Sequence, residues 1–383
     1  MTGFFTAPRI AWGPGALEQL SGLGARRAIV VVDPAVFALE AHRRVVEELA
    51  KSDTVVEAID AGTGPDRLDS VDRLAQRLRE FGPDWVVAVG GGRTIDGAKA
   101  ARALFERSDI DLRALTPVTD LPDPPKSRFV AIPTTSGSGA DASLTADLVS
   151  TDGEPFEVAH RSLVPDWAIV DAHFAESLSN ELRSDGGAEA LGQAVEAYLS
   201  AWSSPFSDAL SLAVVRTVVE RLSHAVKWSD DPDAKEELHY AATLAGIAAS
   251  NAQRGVAHAL ARALAPSTGL SYGRLVGIVL PHVLEFDLPS ARERLEAIGA
   301  SLRRPEESSA VPFSTRLTRL YENARIPRDL AEAGVSESAV VDERAAIVAR
   351  VLKAPAALAN PRVPSPTDVE TLLNAVTHGR RAG

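Results

Sequence analysis

The chain has no cysteine and a single methionine among its 383 residues. The lack of cysteine excludes disulfides, thiolate metal sites and a thiol nucleophile. No apolar run approaches the roughly 20 residues that a membrane span needs. The opening segment, residues 1–13, has no charged start followed by an apolar core, so it does not resemble a signal peptide. These absences predict a cytoplasmic protein with no membrane partner.

Basic residues are fewer than acidic residues. Lysine and arginine number 40 against 52 aspartates and glutamates, for a net charge of −12. The arginines are scattered among acids and form no basic tract. We therefore expect no nucleic-acid partner. The length allows two domains, each with its own core.

Strand and helix patterns alternate in the first half of the chain. β-Branched runs ended by Asp, Gly or Pro occur at 27–34, 54–60, 84–92 and 128–135, and a last strand with its exit lies in 163–179. Helical patterns lie between them, at 66–82 and 94–106. This alternation predicts an α/β dinucleotide-binding domain with a parallel sheet over residues 1–180.

After about residue 180 the strand signals fade. Residues 207–227 and 233–252 have helical period and length. The Pro-rich stretch 359–366 is typical of a loop. The sequence therefore predicts an all-helical domain over residues 181–383, which we expect to bind the substrate.

Two loops of the first half are candidates for nucleotide binding. The stretch VAVGGGRTIDGAKA (87–100) is a strand, a triple glycine and the start of a helix, whose free N–H groups can bind phosphate. A tight strand-to-helix turn is the alternative, and the spacing fits neither the Rossmann fingerprint nor a Walker A loop. The loop IPTTSGSGAD (132–141) supplies hydroxyl and amide groups for ribose or phosphate, although such loops are often only loops.

Polar side chains stand out on otherwise apolar helices of the second half. In GAEALGQAVEAYLS (187–200), Glu189 and Gln193 are four residues apart and share a helical face, with Glu196 one turn further. His258 likewise shares a face with Arg262. A lone helical histidine is more often structural than catalytic, and a core role for Tyr272 is equally plausible.

The order of these motifs resembles one family. GGGRTIDGAKA, PTTSGSGAD, LVPDWAIVD, GAEALGQAVEAY, PFSDALSL, GVAHAL, GIVLPHV and NPR (360–362) follow the iron-containing (group III) alcohol dehydrogenases, which share their fold with dehydroquinate synthase. The opening FFTAPRIAWGPGAL (4–17) also matches, so the resemblance covers nearly the whole chain. It implies an NAD(P)-dependent oxidoreductase that forms a homodimer.

The resemblance also implies which residues hold the cofactor. Its pyrophosphate motif falls on Gly90, Gly91, Gly92 and Asp96, and its second cofactor loop falls on Thr134, Thr135 and Ser138. Arg93 stands where many members have serine. Asp33 matches an acid that faces the adenosine ribose, and a carboxylate there repels a 2′-phosphate. We therefore expect NAD(H), with NADP(H) as the alternative.

The family's four metal positions fall on Glu189, Gln193, His258 and Tyr272, so only one histidine is kept. A further active-site histidine of the family is here Arg262. An amide is a poor ligand compared with imidazole, and a tyrosine must lose its proton to coordinate well. The sequence therefore predicts a catalytic site without a metal.

The expected activity is a metal-independent, NAD(P)H-dependent reduction, or its reverse, of a small polar carbonyl or enoate. Tyr272 or His258 can supply the proton. Arg262 and Arg254 suit an anionic substrate. Two alternatives stay open: a metal-dependent alcohol dehydrogenase with unusual ligands, and a non-redox or nucleotide-binding protein on the same fold.

Overall fold

The computed structural model describes residues 4–227 and 231–379. The chain divides into two compact units. One comprises Thr6–Leu178, and the other comprises the described residues from Ser179 onward together with Phe4 and Phe5. No helix in these described ranges is both long and apolar enough to cross a membrane.

The unit Thr6–Leu178, every residue of which is described, is an α/β domain. Its strands and α-helices are β1 (Arg9–Trp12), β2 (Arg27–Val32), α1 (Pro34–Ala38), α2 (Arg43–Ala50), β3 (Val55–Asp60), α3 (Leu68–Phe81), β4 (Trp85–Gly90), α4 (Gly92–Glu106), β5 (Arg128–Pro133), β6 (Thr145–Val149), β7 (Pro155–Ala159) and β8 (Trp167–Val170). Six strands form a parallel sheet in the order β1-β8-β5-β4-β2-β3.

Continuous apolar runs explain why the central strands form. All six residues of β4 are buried, as are five of the six in β2. Such runs suit parallel strands that are covered on both faces. Between them, α3 buries Val71, Ala75 and Leu78 on one stripe. The predicted parallel α/β sheet is confirmed.

Three strands were not predicted from the sequence. β1 is only four residues long and lies at the sheet edge, where it pairs with β8. β6 and β7 form a separate antiparallel hairpin. These segments lack a continuous β-branched run, and β7 begins with a proline. The conformation of β1 comes from pairing with the distant β8, and that of β6 and β7 from pairing with each other, which the pattern of a single strand does not report.

The second unit is helical. Its helices are α5 (Asn180–Leu199), α6 (Pro205–Lys227), α7 (Pro232–Ala252), α8 (Val256–Thr268), α9 (Tyr272–Ser301), α10 (Phe313–Ala324), α11 (Glu337–Val341), α12 (Arg344–Lys353), α13 (Pro355–Ala359) and α14 (Pro366–His378). Buried Leu, Val and Ala side chains from these helices form one core. Irregular chain joins α13 to α14, where the sequence predicts a loop.

Candidate active site

The carboxyl ends of three neighbouring strands bring the predicted nucleotide residues together. Asp33 follows β2, Gly90 ends β4 and Thr134 follows β5. The N–H of Asp33 donates to the Val89 carbonyl at 2.9 Å, and that of Thr134 donates to the Gly90 carbonyl at 3.0 Å. The chain order reverses between β2 and β4, and such a switch point is where open α/β sheets bind ligands.

The triple glycine is required by close approach of its neighbours. A Cβ atom at Gly90 would lie 2.9 Å from the Cβ of Asp33, and one at Gly92 would lie 2.7 Å from the Cβ of Ser138. At Gly91 the nearest atom would be a methyl carbon of Thr135, at 3.2 Å. Gly91 is also the N-cap of α4, so free backbone N–H groups begin here. This arrangement fits a pyrophosphate group.

The Asp33 carboxylate is oriented by two hydrogen bonds. Its Oδ1 accepts a hydrogen bond from the N–H of Ala35 at 2.9 Å, so that Asp33 caps the start of α1. Its Oδ2 accepts a hydrogen bond from the Thr94 hydroxyl at 3.0 Å. Each oxygen keeps a second lone pair. Asp33 can therefore also accept hydrogen bonds from a ribose at the end of β2.

Arg93 is exposed and pairs with Asp66. Its guanidinium donates to Asp66 Oδ1, with N–O distances of 2.9 and 2.7 Å. This hydrogen bond, and more weakly the charge of Asp33, raise the pKa of Arg93. The cation stands on the first turn of α4, beside the proposed pyrophosphate position.

Asp96 holds the β6–β7 hairpin to α4. Its Oδ2 accepts the N–H of Asp147 at 3.0 Å, and its Oδ1 lies 3.6 Å from Lys99 Nζ. The Lys99 ammonium is fully buried and donates to the carbonyls of Ser143 and Thr145. Lys99 therefore ties the end of the loop between β5 and β6 to α4.

In the helical unit, α5 carries the polar face predicted from the sequence. Gln193 and Glu196 are almost fully buried, and Glu189 is half-buried. A Cβ atom on Gly273 would lie 3.2 Å from Glu189 Oε2. Glu189 therefore lies against the first turn of α9, next to Tyr272.

His258 is fully buried on α8, and its two ring nitrogens differ in environment. Nδ1 is hydrogen-bonded to Glu196 Oε2. Nε2 has no hydrogen-bond partner among the described residues. Burial lowers the pKa of His258, and the Glu196 carboxylate opposes that shift. The neutral imidazole is therefore favoured, and its buried Nε2 can still form one hydrogen bond.

Glu196 lies beside a second buried polar pair that the sequence did not reveal. Asn360 accepts the N–H of Val256 at 3.1 Å and donates to Asp287 Oδ1 at 2.6 Å. Burial raises the pKa of Asp287 to about 7, and the nearby Glu196 charge adds to the increase. Asn360 belongs to the NPR motif, which was the only sequence signal for this position.

Tyr272 begins α9 and lies beside His258. Its hydroxyl donates to the backbone carbonyl of His258 at 3.2 Å, and the two rings meet edge to face with centroids 5.9 Å apart. Ser271 caps the helix, and Asp185 accepts from Arg274 Nε at 2.9 Å. The start of α9 is thus fastened to α5, which fixes the phenol next to the imidazole.

Two arginines place positive charge near His258. Arg254 and Arg262 both contribute to lowering the pKa of His258. Arg254 is buried and Arg262 half-buried. Across the two described ranges, no group of three or more His, Asp or Glu side chains is arranged to hold a metal ion.

Two family models match successive parts of the chain. Residues 7–172 match the model of iron-containing alcohol dehydrogenase, and residues 184–377 match the C-terminal model of the Fe-containing alcohol dehydrogenase family. The NADPH-dependent butanol dehydrogenase of Clostridium saccharobutylicum is 30% identical over 387 residues, which cover 98% of each chain.

Solved structures show the same fold. An iron-containing alcohol dehydrogenase from Thermococcus thioreducens superposes with a TM-score of 0.90 at 26% identity, covering 99% of this chain and 100% of that one. Sulfoacetaldehyde reductase from Bifidobacterium kashiwanohense, solved with NAD⁺, gives a TM-score of 0.86 at 20% identity, with 99% and 100% covered.

Proposed function

The chain belongs to the iron-containing alcohol dehydrogenase family of oxidoreductases, and we propose that it works without a metal, as an NAD(H)-preferring reductase or dehydrogenase of a small anionic carbonyl or enoate. The observation that carries this proposal is the burial and hydrogen bonding of the His258 ring. Its imidazole is buried beside a phenol and two guanidinium groups; Glu196 holds its Nδ1, and no described residue bonds its Nε2.

The donor chemistry of the four family metal positions argues against a transition metal. They offer one imidazole, one carboxylate, one amide and one phenol. The amide is neutral and weak, and the phenol must ionise before it coordinates well. Arg254 and Arg262 add positive charge near His258, which disfavours a dication by Coulomb repulsion. These side chains do not fit the family's metal, so we assign it no step.

Hydrogen-bond donors replace the Lewis acid in this proposal. A bound nicotinamide supplies or accepts the hydride. The Tyr272 hydroxyl donates to the substrate oxygen and stabilises the developing alkoxide, since rotation of its O–H bond suffices to leave the His258 carbonyl. His258 Nε2 carries the proton that the substrate oxygen gains or loses.

The two arginines define the substrate class. Guanidinium groups form charge-assisted, bidentate bonds with carboxylate, sulfonate or phosphonate groups. Arg254 and Arg262 occur four residues before and four residues after His258, and only Arg262 lies on α8. An anionic group bound there places a neighbouring carbonyl near the imidazole.

Paired substrates test the function. The EDTA-dialysed protein is assayed for NADH oxidation with 4-oxobutanoate and with butanal, which lacks the carboxylate. We expect a kcat/KM at least about 10-fold higher for the anion, because hydrogen bonds to charged groups contribute about 1.5–3 kcal/mol. Arg262→Gln should remove most of this preference, whereas Arg221→Gln, at an arginine that pairs with Glu237 on the helical unit, should leave it.

Each alternative has its own result in that assay. Tight NADH binding without consumption, across carbonyl substrates of both kinds, would favour a non-redox or purely nucleotide-binding protein. Activity that disappears in EDTA and returns with iron or zinc would favour the metal-dependent alcohol dehydrogenase.

Asp33 is proposed to set the cofactor preference. Its carboxylate accepts from a ribose 2′-hydroxyl and repels a 2′-phosphate. We expect wild type to bind NADH at least about 10-fold more tightly than NADPH, and Asp33→Gly to reduce that ratio toward unity. Fluorescence titration measures both constants.

Asp60→Gly, which removes an acid from the end of the neighbouring strand β3, is the control. Tighter NADPH binding by wild type, as the name of the Clostridium relative indicates for that enzyme, would contradict the proposal.

We also propose a homodimer, on the family resemblance and on the exposed sheet edge at β1. Trp12 on this strand is 67% exposed. Sedimentation at micromolar concentration should give twice the chain mass of 40.5 kDa. A mass near that of one chain would reject the dimer.

A further inference from the structure

Glu196 joins the start of α8 to the buried imidazole of His258. Its Oε1 accepts the N–H of Ala257 at 2.6 Å, and its Oε2 is hydrogen-bonded to His258 Nδ1. Only 4% of Glu196 is exposed. Both carboxylate oxygens are therefore in use, one for the backbone and one for the ring.

From this geometry we propose that Glu196 is a positioning residue that fixes the tautomer of His258, keeping the proton on Nδ1 and the Nε2 lone pair toward the substrate. The inference rests on the proposed function, because it assigns Nε2 the exchange of a proton with the substrate oxygen. It adds a residue for which the family resemblance gave no role.

The start of α8 holds the Glu196 carboxylate in this orientation. Ala257 lies in the first turn of α8, where unpaired N–H groups and the helix dipole favour a negative charge. Gly255 caps this helix, and a Cβ atom there would lie 2.7 Å from Glu196 Oε1 and 2.7 Å from Asn360 Oδ1. Only glycine allows both side chains to reach the helix start.

The tautomer follows from what a carboxylate can do. An ionised carboxylate only accepts hydrogen bonds, so the proton of the pair lies on Nδ1 and a neutral ring has its lone pair on Nε2. In alcohol oxidation, the substrate O–H bond breaks and its proton goes to Nε2, while the hydride leaves carbon for the nicotinamide cofactor. Glu196 then stabilises the imidazolium, and reduction reverses these steps.

Glu196→Gln is the direct test. Oε1 of the glutamine keeps the Ala257 bond, and its amide then donates to Nδ1, which moves the ring proton to Nε2. We expect kcat to fall on the order of 10⁴-fold, as when an amide replaces the carboxylate of a catalytic His–Asp pair, with KM changed by less than about threefold. ¹⁵N NMR of protein labelled at histidine should show the protonated nitrogen change from Nδ1 to Nε2, with His258→Asn used to assign the signal.

Two further variants separate positioning from stability. Glu106 is also buried and also accepts backbone N–H groups, from Lys126 and Ser127, but lies in the α/β domain. Glu106→Gln should keep wild-type kcat and the His258 tautomer even if its melting temperature falls. Glu196→Asp keeps a carboxylate, so it should retain the Nδ1–H tautomer and at least about 10-fold more activity than Glu196→Gln.

Three results would overturn the proposal: an unchanged His258 tautomer in Glu196→Gln, a kcat within about threefold of wild type, or equal losses for Gln and Asp. Failure of the proposed function looks different. Wild type would then consume no NADH with any carbonyl substrate, and the NMR signal alone would decide whether Glu196 sets the tautomer.

Discussion

The Tyr272→Phe enzyme is expected to turn over its best carbonyl substrate about 10²- to 10³-fold more slowly than wild type, the usual effect of losing one donor to a developing oxyanion. NADH binding should stay near normal, because Tyr272 lies in the helical unit and the proposed nucleotide residues all lie in the α/β domain. Steady-state kinetics and NADH fluorescence titration measure the two effects separately.

A matched variant tests whether loss of any buried hydroxyl slows the enzyme. Tyr321 is buried on α10, and its hydroxyl has no hydrogen-bond partner among the described residues. Tyr321→Phe should therefore keep wild-type activity and be at least as stable, because an unsatisfied polar group leaves the core. An unchanged kcat in Tyr272→Phe would remove the phenol from the mechanism and leave His258 as the remaining proton donor.

The nucleotide loops could be predicted from the sequence because their signals are local. Gly90, Gly91 and Gly92 lie where a buried strand ends and a helix begins, and such a turn can be recognised from residue order alone. The sequence did not indicate which neighbouring side chains require glycine at these positions. Asp33 and Ser138 are brought to them only by the parallel order of β2, β4 and β5.

The hydrogen bond between Glu196 and His258 could not be predicted from local sequence patterns. Helical spacing placed Glu196 on the same face as Gln193, but it did not indicate contact with a histidine 62 residues later. The same holds for Asn360, which meets the N–H of Val256 across 104 residues. Packing of segments distant in sequence creates these pairs, and no periodicity within a single helix reports packing.

Asp96 shows a different limit. Its position in the glycine motif associated it with the cofactor, which stays a prediction, and the structure adds that its Oδ2 accepts the N–H of Asp147 in the β6–β7 hairpin. That hairpin was itself not predicted. A motif indicates that a residue belongs to a site, but the contacts of its side chain depend on elements that the motif does not contain.

The purified enzyme is expected to contain no stoichiometric iron or zinc, and chelators should leave its turnover unchanged. The reason is the donor set of Glu189, Gln193, His258 and Tyr272, in which an amide and a phenol stand at family histidine positions. Elemental analysis and an assay after dialysis against EDTA test this. Near one equivalent of metal, with activity lost in EDTA and restored by metal, would contradict it.

Restoring the missing imidazoles should reverse this behaviour. The double variant Gln193→His/Tyr272→His would offer three imidazoles and the Glu189 carboxylate, a set that suits a divalent transition metal. We expect its Kd for Zn²⁺ to be at least ~10³-fold lower than that of wild type, since losing even an outer-sphere partner of a metal ligand costs about 10- to 100-fold. Gln253→His/Tyr240→His, at half-buried positions on or next to α7, is the control for two added histidines. Zinc should raise the melting temperature of the active-site variant alone.

Equal zinc affinity in both double variants would mean that these four positions no longer converge. The explanation of metal loss by two ligand substitutions would then fail.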